Sequence, residues 1–280
     1  MSSSLAGLSI IVTGGARGIG RATVDRFARQ GAKVAVGDLD LALVTEVASA
    51  YDGNVAAARL DVSDVESWTA FLAEVDHLGP WDVLVNNAGI MPLGSVLKEP
   101  ESVARTIMDV NVHGVINGTK AVVPGMVDRG RGHVVNVASA VGRVAVSHGA
   151  TYSASKFAVV GFSEAIRQEL AADGIDVTVV LPTVVQTELA SGVPAARGIK
   201  PVTAEDVAAV IEAAVLKPRA EMWVPRWTQG LGKSALALPR FVQDAMSRAT
   251  KAGDVLSSAD TAARAAYEER ARRGARDAKE

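Results

Sequence analysis

The sequence predicts a doubly wound α/β domain, and three observations predict it. Seven short β-branched runs alternate with six longer helical segments. The runs are apolar on both faces, as strands of a parallel sheet are when helices cover each side. A glycine-rich turn, Thr13-Gly14-Gly15-Ala16-Arg17-Gly18-Ile19-Gly20, joins the first run to the first helix.

Taken in order, the first strand covers Leu8–Thr13 and stops at that turn, which opens a helix over Ile19–Gln30. The second strand, Lys33–Gly37, runs into Asp38, and a helix follows over Leu41–Ala50. Val55–Leu60 is the third strand and Val65–Leu78 the helix after it. Trp81–Asn86 is the fourth strand, followed by a long helical stretch over Ser102–Arg129. His133–Ala138 reads as a buried fifth strand that ends at Ser139, and Thr151–Asp173 as the next helix. Asp176–Leu181, a helix over Thr203–Leu216 and the short strand Glu221–Val224 complete the alternation. Residues 183–202 contain Gly192, Pro194, Gly198 and Pro201 and read as a long loop, of the kind that covers ligands. The pattern changes after Pro225. Residues 226–258 form an amphipathic segment with Pro239 in its middle. Residues 259–280 are rich in Ala, Arg and Glu, with Tyr267 as the one large apolar side chain, and read as a largely solvated helical tail. The division is therefore one catalytic domain over 1–225 and a helical extension over 226–280 that is not a domain of its own.

Composition narrows the function. With 49% hydrophobic and 21% charged residues, the 280-residue chain can bury a sizeable core. A net charge of −2 with both signs interspersed offers no polyanion-binding face, so no nucleic-acid partner is expected. There is no cysteine, which excludes disulfides, thiolate metal sites and cysteine nucleophiles. The four histidines are scattered and no metal site is expected. No run of about 18 apolar residues suggests a membrane span. A cytoplasmic protein is the expectation.

Three motifs carry chemistry. The glycine turn at the start of a βαβ unit lets the backbone approach a pyrophosphate, with the free N–H groups of a helix N-terminus aimed at it. Asp38 stands 18 residues after Gly20, where a carboxylate accepts the hydroxyls of an adenosine ribose and repels a 2′-phosphate. Arg17 cuts the other way, since a basic residue in the turn can reach that phosphate. Asp38 outweighs it, and NAD is expected in preference to NADP. The third motif is Tyr152 and Lys156, four apart on one helix face, thirteen residues after Ser139. A cation beside a phenol lowers its pKa and makes tyrosine an acid/base catalyst near neutrality. A hydroxyl at Ser139 can hold a substrate oxygen next to that phenol.

These residues resemble one family, the short-chain dehydrogenases/reductases in their single-domain form. The spacing Gly14-x-x-x-Gly18-x-Gly20 is similar to theirs. So are Asp61-Val62, Asn86-Asn87-Ala88-Gly89, Asn111-Val112-His113-Gly114, and the Ser139/Tyr152/Lys156 set. Pro182-Thr183-Val184-Val185-Gln186-Thr187 looks like the family's nicotinamide-carboxamide segment, although Thr183 stands where glycine is usual. The resemblance covers about residues 5–225. It implies a Rossmann-type sheet of about seven strands with helices on both faces. It also implies hydride transfer between a nicotinamide cofactor and a secondary alcohol or ketone. On this resemblance Asn111, Ser139, Tyr152 and Lys156 are catalytic. Gly14, Arg17, Gly18, Ile19, Gly20, Asp38, Asp61, Val62, Asn87, Ala88, Gly89, Pro182, Val185 and Thr187 contact the cofactor, together with Tyr152 and Lys156. Asn111 would hold a water near Lys156.

The residues after each motif, such as Met91, Leu93, Val146 and Leu189, are apolar. They favour a steroid-, terpenoid- or lipid-like skeleton. Helices 102–129 and 151–173 are apolar around much of their circumference, and the resemblance implies a homodimer or homotetramer through them. Residues 226–258 carry a few basic side chains, which leaves peripheral membrane contact open for that segment. Two rivals stand beside the dehydrogenase. A dinucleotide-sensing protein without turnover would need no proton relay. An NADPH-dependent oxoacyl reductase is disfavoured by Asp38.

Overall fold

Strands β1 (Ser9–Thr13), β2 (Lys33–Asp38), β3 (Val55–Arg59), β4 (Val83–Asn86), β5 (Gly132–Val137), β6 (Ile175–Pro182) and β7 (Glu221–Val224) form one sheet. All neighbours are parallel, in the order β3-β2-β1-β4-β5-β6-β7. The structure, a computed structural model, describes residues 4–194, 200–239, 241–242, 256 and 259–277.

Period-2 alternation sorts the strand residues between two layers. Ile10, Val12, Val34, Val36, Val135 and Val180 face one side. There they pack on α1 (Gly18–Ala28), α2 (Leu41–Ser49) and α7 (Ala204–Leu216) through Phe27, Val47 and Ile211. Ile11, Ala35, Leu84, Val134 and Val177 face the other. Their partners are Trp68 and Phe71 of α3 (Val65–Val75), Met126 of α5 (Gly114–Asp128) and Ile166 of α6 (Ala150–Glu169). The expected doubly wound α/β fold is what forms.

Three features depart from the sequence reading. The stretch expected as one helix over 102–129 is broken. An α4 (Glu101–Met108) passes through a π-type turn, Asp109–His113, into α5. Such turns widen a helix locally and cluster at functional sites. Nothing in the hydrophobic pattern marks it, because the extra residue does not interrupt the apolar face. After β7, α8 (Thr228–Ala237) ends two residues before Pro239, as a helix must when the residue before proline is driven to extended backbone. Arg240, Met246 and Arg248 of the amphipathic segment lie outside the described residues. The tail is helical and largely exposed as expected, but α9 (Thr261–Asp277) also docks on the domain through a buried Arg264, which the sequence reading lacks. No helix among the described residues is long and apolar enough to cross a membrane.

His133 on β5 is buried, its Nε2 hydrogen-bonded to Thr178 Oγ1 at 2.9 Å. Burial pushes its pKa down to about 4. Between that value and the ordinary value near 6.5 the unfolded chain binds the extra proton, so stability falls as pH falls through this window. Acidification from pH 7 to 4 should cost about 3 kcal/mol through this group. Urea midpoints measured across that range check it, with His133→Asn expected to flatten the slope.

Candidate active site

The sheet order reverses between β1 and β4, and in such sheets ligands lie outside the carboxyl ends at this switch point. Thr13 and Asn87 lace the two strand ends together. The Thr13 hydroxyl accepts from the Asn87 and Ala88 amides, both at 3.0 Å. Asn87 Nδ2 donates to the carbonyls of Thr13 at 2.9 Å and Gly14 at 3.1 Å. Gly14 has φ +65°, and a Cβ there would lie 2.8 Å from Ala88 Cα. A Cβ at Gly20 would lie 2.0 Å from the Gly14 carbonyl oxygen. That atom is backbone and cannot move aside. Gly20→Ala should therefore cost about 2 kcal/mol of stability and deform the turn. Paired thermal melts and NADH fluorescence titrations test this, and normal results in both would rule out the constraint.

No side chain caps α1, whose N-cap is Arg17, so its first N–H groups face the turn. Ile19 opens that helix half-buried, packed against the core. Asp38, at the end of β2, accepts from the Ala16 amide at 3.0 Å and from the Asp40 amide at 3.1 Å, which fixes its carboxylate beside the turn. Arg17 is engaged elsewhere. Its Nη2 donates to Asp40 Oδ2 at 3.0 Å and its Nε lies 3.6 Å from Glu188 Oε2. A hydrogen bond from the Leu43 amide and the Arg17 cation hold the Asp40 carboxyl below its usual range, against a smaller opposing effect of burial. Asp61 folds back on Ser63, accepting its amide at 2.9 Å and its hydroxyl at 2.6 Å. Val62 is buried, and its carbonyl accepts from Trp68 and Asn117.

Asn111 sits in the π-type turn and is buried. Its side chain clasps Ile90, accepting that residue's amide at 2.8 Å and donating to its carbonyl at 2.9 Å. Nδ2 also donates to Ser155 Oγ at 3.0 Å, and Ser155 donates to the Tyr152 carbonyl at 2.8 Å. The segment from Asn87 to Ile90 is thereby tied to α6. Gly89 leaves room there: a Cβ would come within 3.2 Å of Asn111 Oδ1 and 3.5 Å of Lys156 Nζ.

Ser139, Tyr152 and Lys156 converge and are all buried. Ser139 Oγ donates to the Pro182 carbonyl at 3.4 Å and accepts from the Val141 amide at 3.2 Å, and it stands near enough to the Tyr152 phenol to lower its pKa. Lys156 Nζ donates to the Val137 carbonyl at 3.2 Å and stands 5.8 Å from the Tyr152 ring centroid. The spacing predicts that the lysine lowers the tyrosine pKa. From the protein's own groups the balance is the reverse. Burial pushes Tyr152 up to about 12, with Ser139 offsetting only part of that. Burial likewise pushes Lys156 down to about 8. Desolvation of two buried groups outweighs a cation held toward a strand carbonyl instead of the phenol.

The loop after β6 returns to the glycine turn. Val185 bridges to Val202, Thr187 Oγ1 donates to the Val185 carbonyl at 3.5 Å, and a Cβ at Gly18 would lie 3.1 Å from Thr187 Cγ2. Thr183, at the position where glycine is usual, uses its amide and hydroxyl to bind the Val224 carbonyl at 2.9 and 3.2 Å, extending the β6–β7 pairing. Two polar residues lie near the tyrosine in sequence. Arg143 is paired with Glu221, and His148 is exposed with φ 59°.

Comparison with known proteins decides the family. A short chain dehydrogenase family model matches residues 9–198. The chain belongs to the short-chain dehydrogenase family. Among its relatives, the putative oxidoreductase SadH of Mycobacterium tuberculosis is 40% identical over 202 residues, covering 70% of this chain and 73% of SadH. The 2,5-dichloro-2,5-cyclohexadiene-1,4-diol dehydrogenase LinX of Sphingobium indicum is 35% identical over 198 residues, covering 69% and 79%. A short chain dehydrogenase/reductase from Burkholderia phymatum, crystallised with NAD, superposes with a TM-score of 0.75 at 23% identity over 82% of this chain and 93% of that one. This short-chain dehydrogenase is thus an oxidoreductase acting on alcohol-type groups. The sequence reading missed Ser155, Glu188 and the α9 residues Arg264, Tyr267 and Glu268. Only the last three left a signal, their spacing on one helix face.

Proposed function

We propose that this dehydrogenase transfers hydride between NAD(H) and a secondary alcohol or ketone on an apolar skeleton. The observation that carries the reading is the joint burial of Ser139, Tyr152 and Lys156, with Tyr152 and Lys156 one turn apart on α6. A dinucleotide sensor needs no such group. The residues at the switch point fit a dinucleotide: a cradle that a Cβ at Gly14 or Gly20 would fill, uncapped N–H groups of α1, and a carboxylate at the end of β2. Gly14, Arg17, Gly18, Ile19 and Gly20 would hold the pyrophosphate and Asp38 the adenosine ribose. Asp61 and Val62 would hold the adenine, Asn87, Ala88 and Gly89 the cofactor's middle, and Pro182, Val185 and Thr187 the carboxamide. When bound, the oxidised nicotinamide supplies a hydride acceptor and a positive charge. Tyr152 takes the hydroxyl proton in the oxidation direction. Ser139 orients the substrate oxygen and stabilises its charge. Lys156 favours the phenolate and binds the nicotinamide ribose. Asn111 positions the Gly89–Ile90 backbone and, with Lys156, anchors a water that leads the proton outward.

NAD is favoured over NADP because the Asp38 carboxylate, held beside the glycine turn, would repel a 2′-phosphate, and Arg17 is engaged by two carboxylates. Titrating NADH and NADPH by nicotinamide fluorescence tests this. NADH should bind about tenfold or more tightly, and Asp38→Ala should narrow the gap. Tighter NADPH would reverse the assignment and point to a biosynthetic ketone reductase. We place the activity in the cytoplasm, with residues 1–225 as the catalytic domain and 226–280 as its extension. Assembly is through α5 and α6 as a homodimer or homotetramer, a reading supported by Phe157 exposed on α6.

A further inference from the structure

Arg264 of α9 is a buried cation outside the site described above, with 2% of its surface exposed. Its Nη2 donates to the Met91 carbonyl at 2.7 Å, its Nη1 to those of Leu189 at 2.9 Å and Ser191 at 3.1 Å, and its Nε to Glu268 at 3.2 Å. A guanidinium leaves water only where its fork of donors is met. These acceptors come from two separate loops, one after β4 and one after β6, and those loops flank Ser139 and Tyr152. Tyr267 and Glu268 lie on the same helix face. The Met91 amide donates to the Tyr267 hydroxyl at 2.6 Å, and the Leu93 amide to Glu268 at 3.2 Å. Asp260 N donates to the Gly192 carbonyl at 2.9 Å and Ser191 Oγ to the Ala263 carbonyl at 3.1 Å.

Leu256 closes the far end. A Cβ at Gly149 would lie 2.6 Å from its Cδ1, 3.7 Å from Leu93 Cδ2 and 3.8 Å from Val146 Cγ2. Gly149 caps α6, the helix that carries Tyr152. Burial raises the Tyr267 phenol, against the Met91 amide hydrogen bond and the Arg264 cation, and Tyr152 adds a smaller rise. We infer that Leu256 and residues 259–270 are the outer wall of the substrate cleft. Arg264 pins this wall to both loops, and Tyr267 limits the size of the substrate that reaches Tyr152. The word substrate rests on the dehydrogenase reading, whereas the wall does not.

The chain has no cysteine, so Leu93→Cys places a single reporter thiol at this wall. Adding Tyr267→Ala should raise the rate of alkylation by pyrenylmaleimide, relative to iodoacetamide, about tenfold. An unchanged ratio overturns the wall. Arg264→Ala should speed amide hydrogen exchange at Met91 and Leu93 about tenfold, while Ile90, clasped by Asn111, keeps its protection. Unchanged exchange at Met91 and Leu93 overturns the pin. If Ile90 loses protection too, Arg264→Lys decides. A point charge cannot span three carbonyls, so that variant should accelerate exchange at Met91 and Leu93 alone. With NAD, Tyr267→Ala should raise kcat/KM for 2-decalol relative to cyclohexanol about tenfold and leave NADH affinity unchanged. An unchanged ratio counts against Tyr267 as the size limit. Turnover of neither alcohol by the parent enzyme would count against the proposed substrate class, and the thiol and exchange results would still decide the wall.

Discussion

Tyr152→Phe should lower kcat about 10³-fold and leave NADH affinity within about twofold. The substitution removes one oxygen from a ring that is otherwise buried and keeps its volume, so packing against α6 and the loops persists. On the proposed mechanism, what is lost is the group that exchanges the proton. In the protein alone that phenol sits near pKa 12. Oxidation therefore should quicken as pH rises through the range in which bound positive charge brings the phenolate into reach, and Tyr152→Phe should abolish that rise. Stopped-flow turnover against pH, with fluorescence titration of NADH, separates the outcomes. Equal loss of turnover and cofactor binding would make Tyr152 structural.

Much of this was readable in the sequence because strand alternation and glycine constraints are local. Ile10 and Val12 face one layer and Ile11 the other, as period 2 dictates. Gly14 is required locally by its φ of +65°, and Gly20 by the Gly14 carbonyl within the same turn. What was not legible depends on direction and long-range contact. The i,i+4 spacing brings Lys156 near Tyr152 but does not say that its ammonium turns to the Val137 carbonyl. Arg264 docks on backbone carbonyls, which leave no apolar stripe, so the one buried anchor of an otherwise exposed Ala/Arg/Glu tail is hidden. Asn111 was legible as a residue of interest, yet its clasp on Ile90 follows from a π-type turn that the pattern hides.

Lys156→Met should separate function from stability in opposite directions. Lys156 is buried, and burial lowers its pKa to about 8 from an ordinary value near 10.5. At pH 7 the amine is charged in both folded and unfolded chains, and the folded state carries the desolvation cost. Between pH 8 and 10.5 the unfolded chain holds the proton that the folded chain has released, so the parent protein gains stability as pH rises through this window. The full span is about 3 kcal/mol. Methionine keeps the unbranched stem and removes the charge, at the loss of one hydrogen bond to Val137 worth about 1 kcal/mol. The variant should therefore be more stable than the parent at pH 7 by about 2 kcal/mol. It should also lack the rise between pH 8 and 10.5. Turnover should fall about 10³-fold if, as proposed, Lys156 favours the phenolate once the cofactor is bound. Urea titrations at pH 7 and 10, with single-turnover kinetics, read both effects. A buried cation that costs stability one helical turn from a buried phenol fits the proposed proton transfer better than a scaffold role. A variant that lost stability and turnover together would instead make the lysine part of the scaffold.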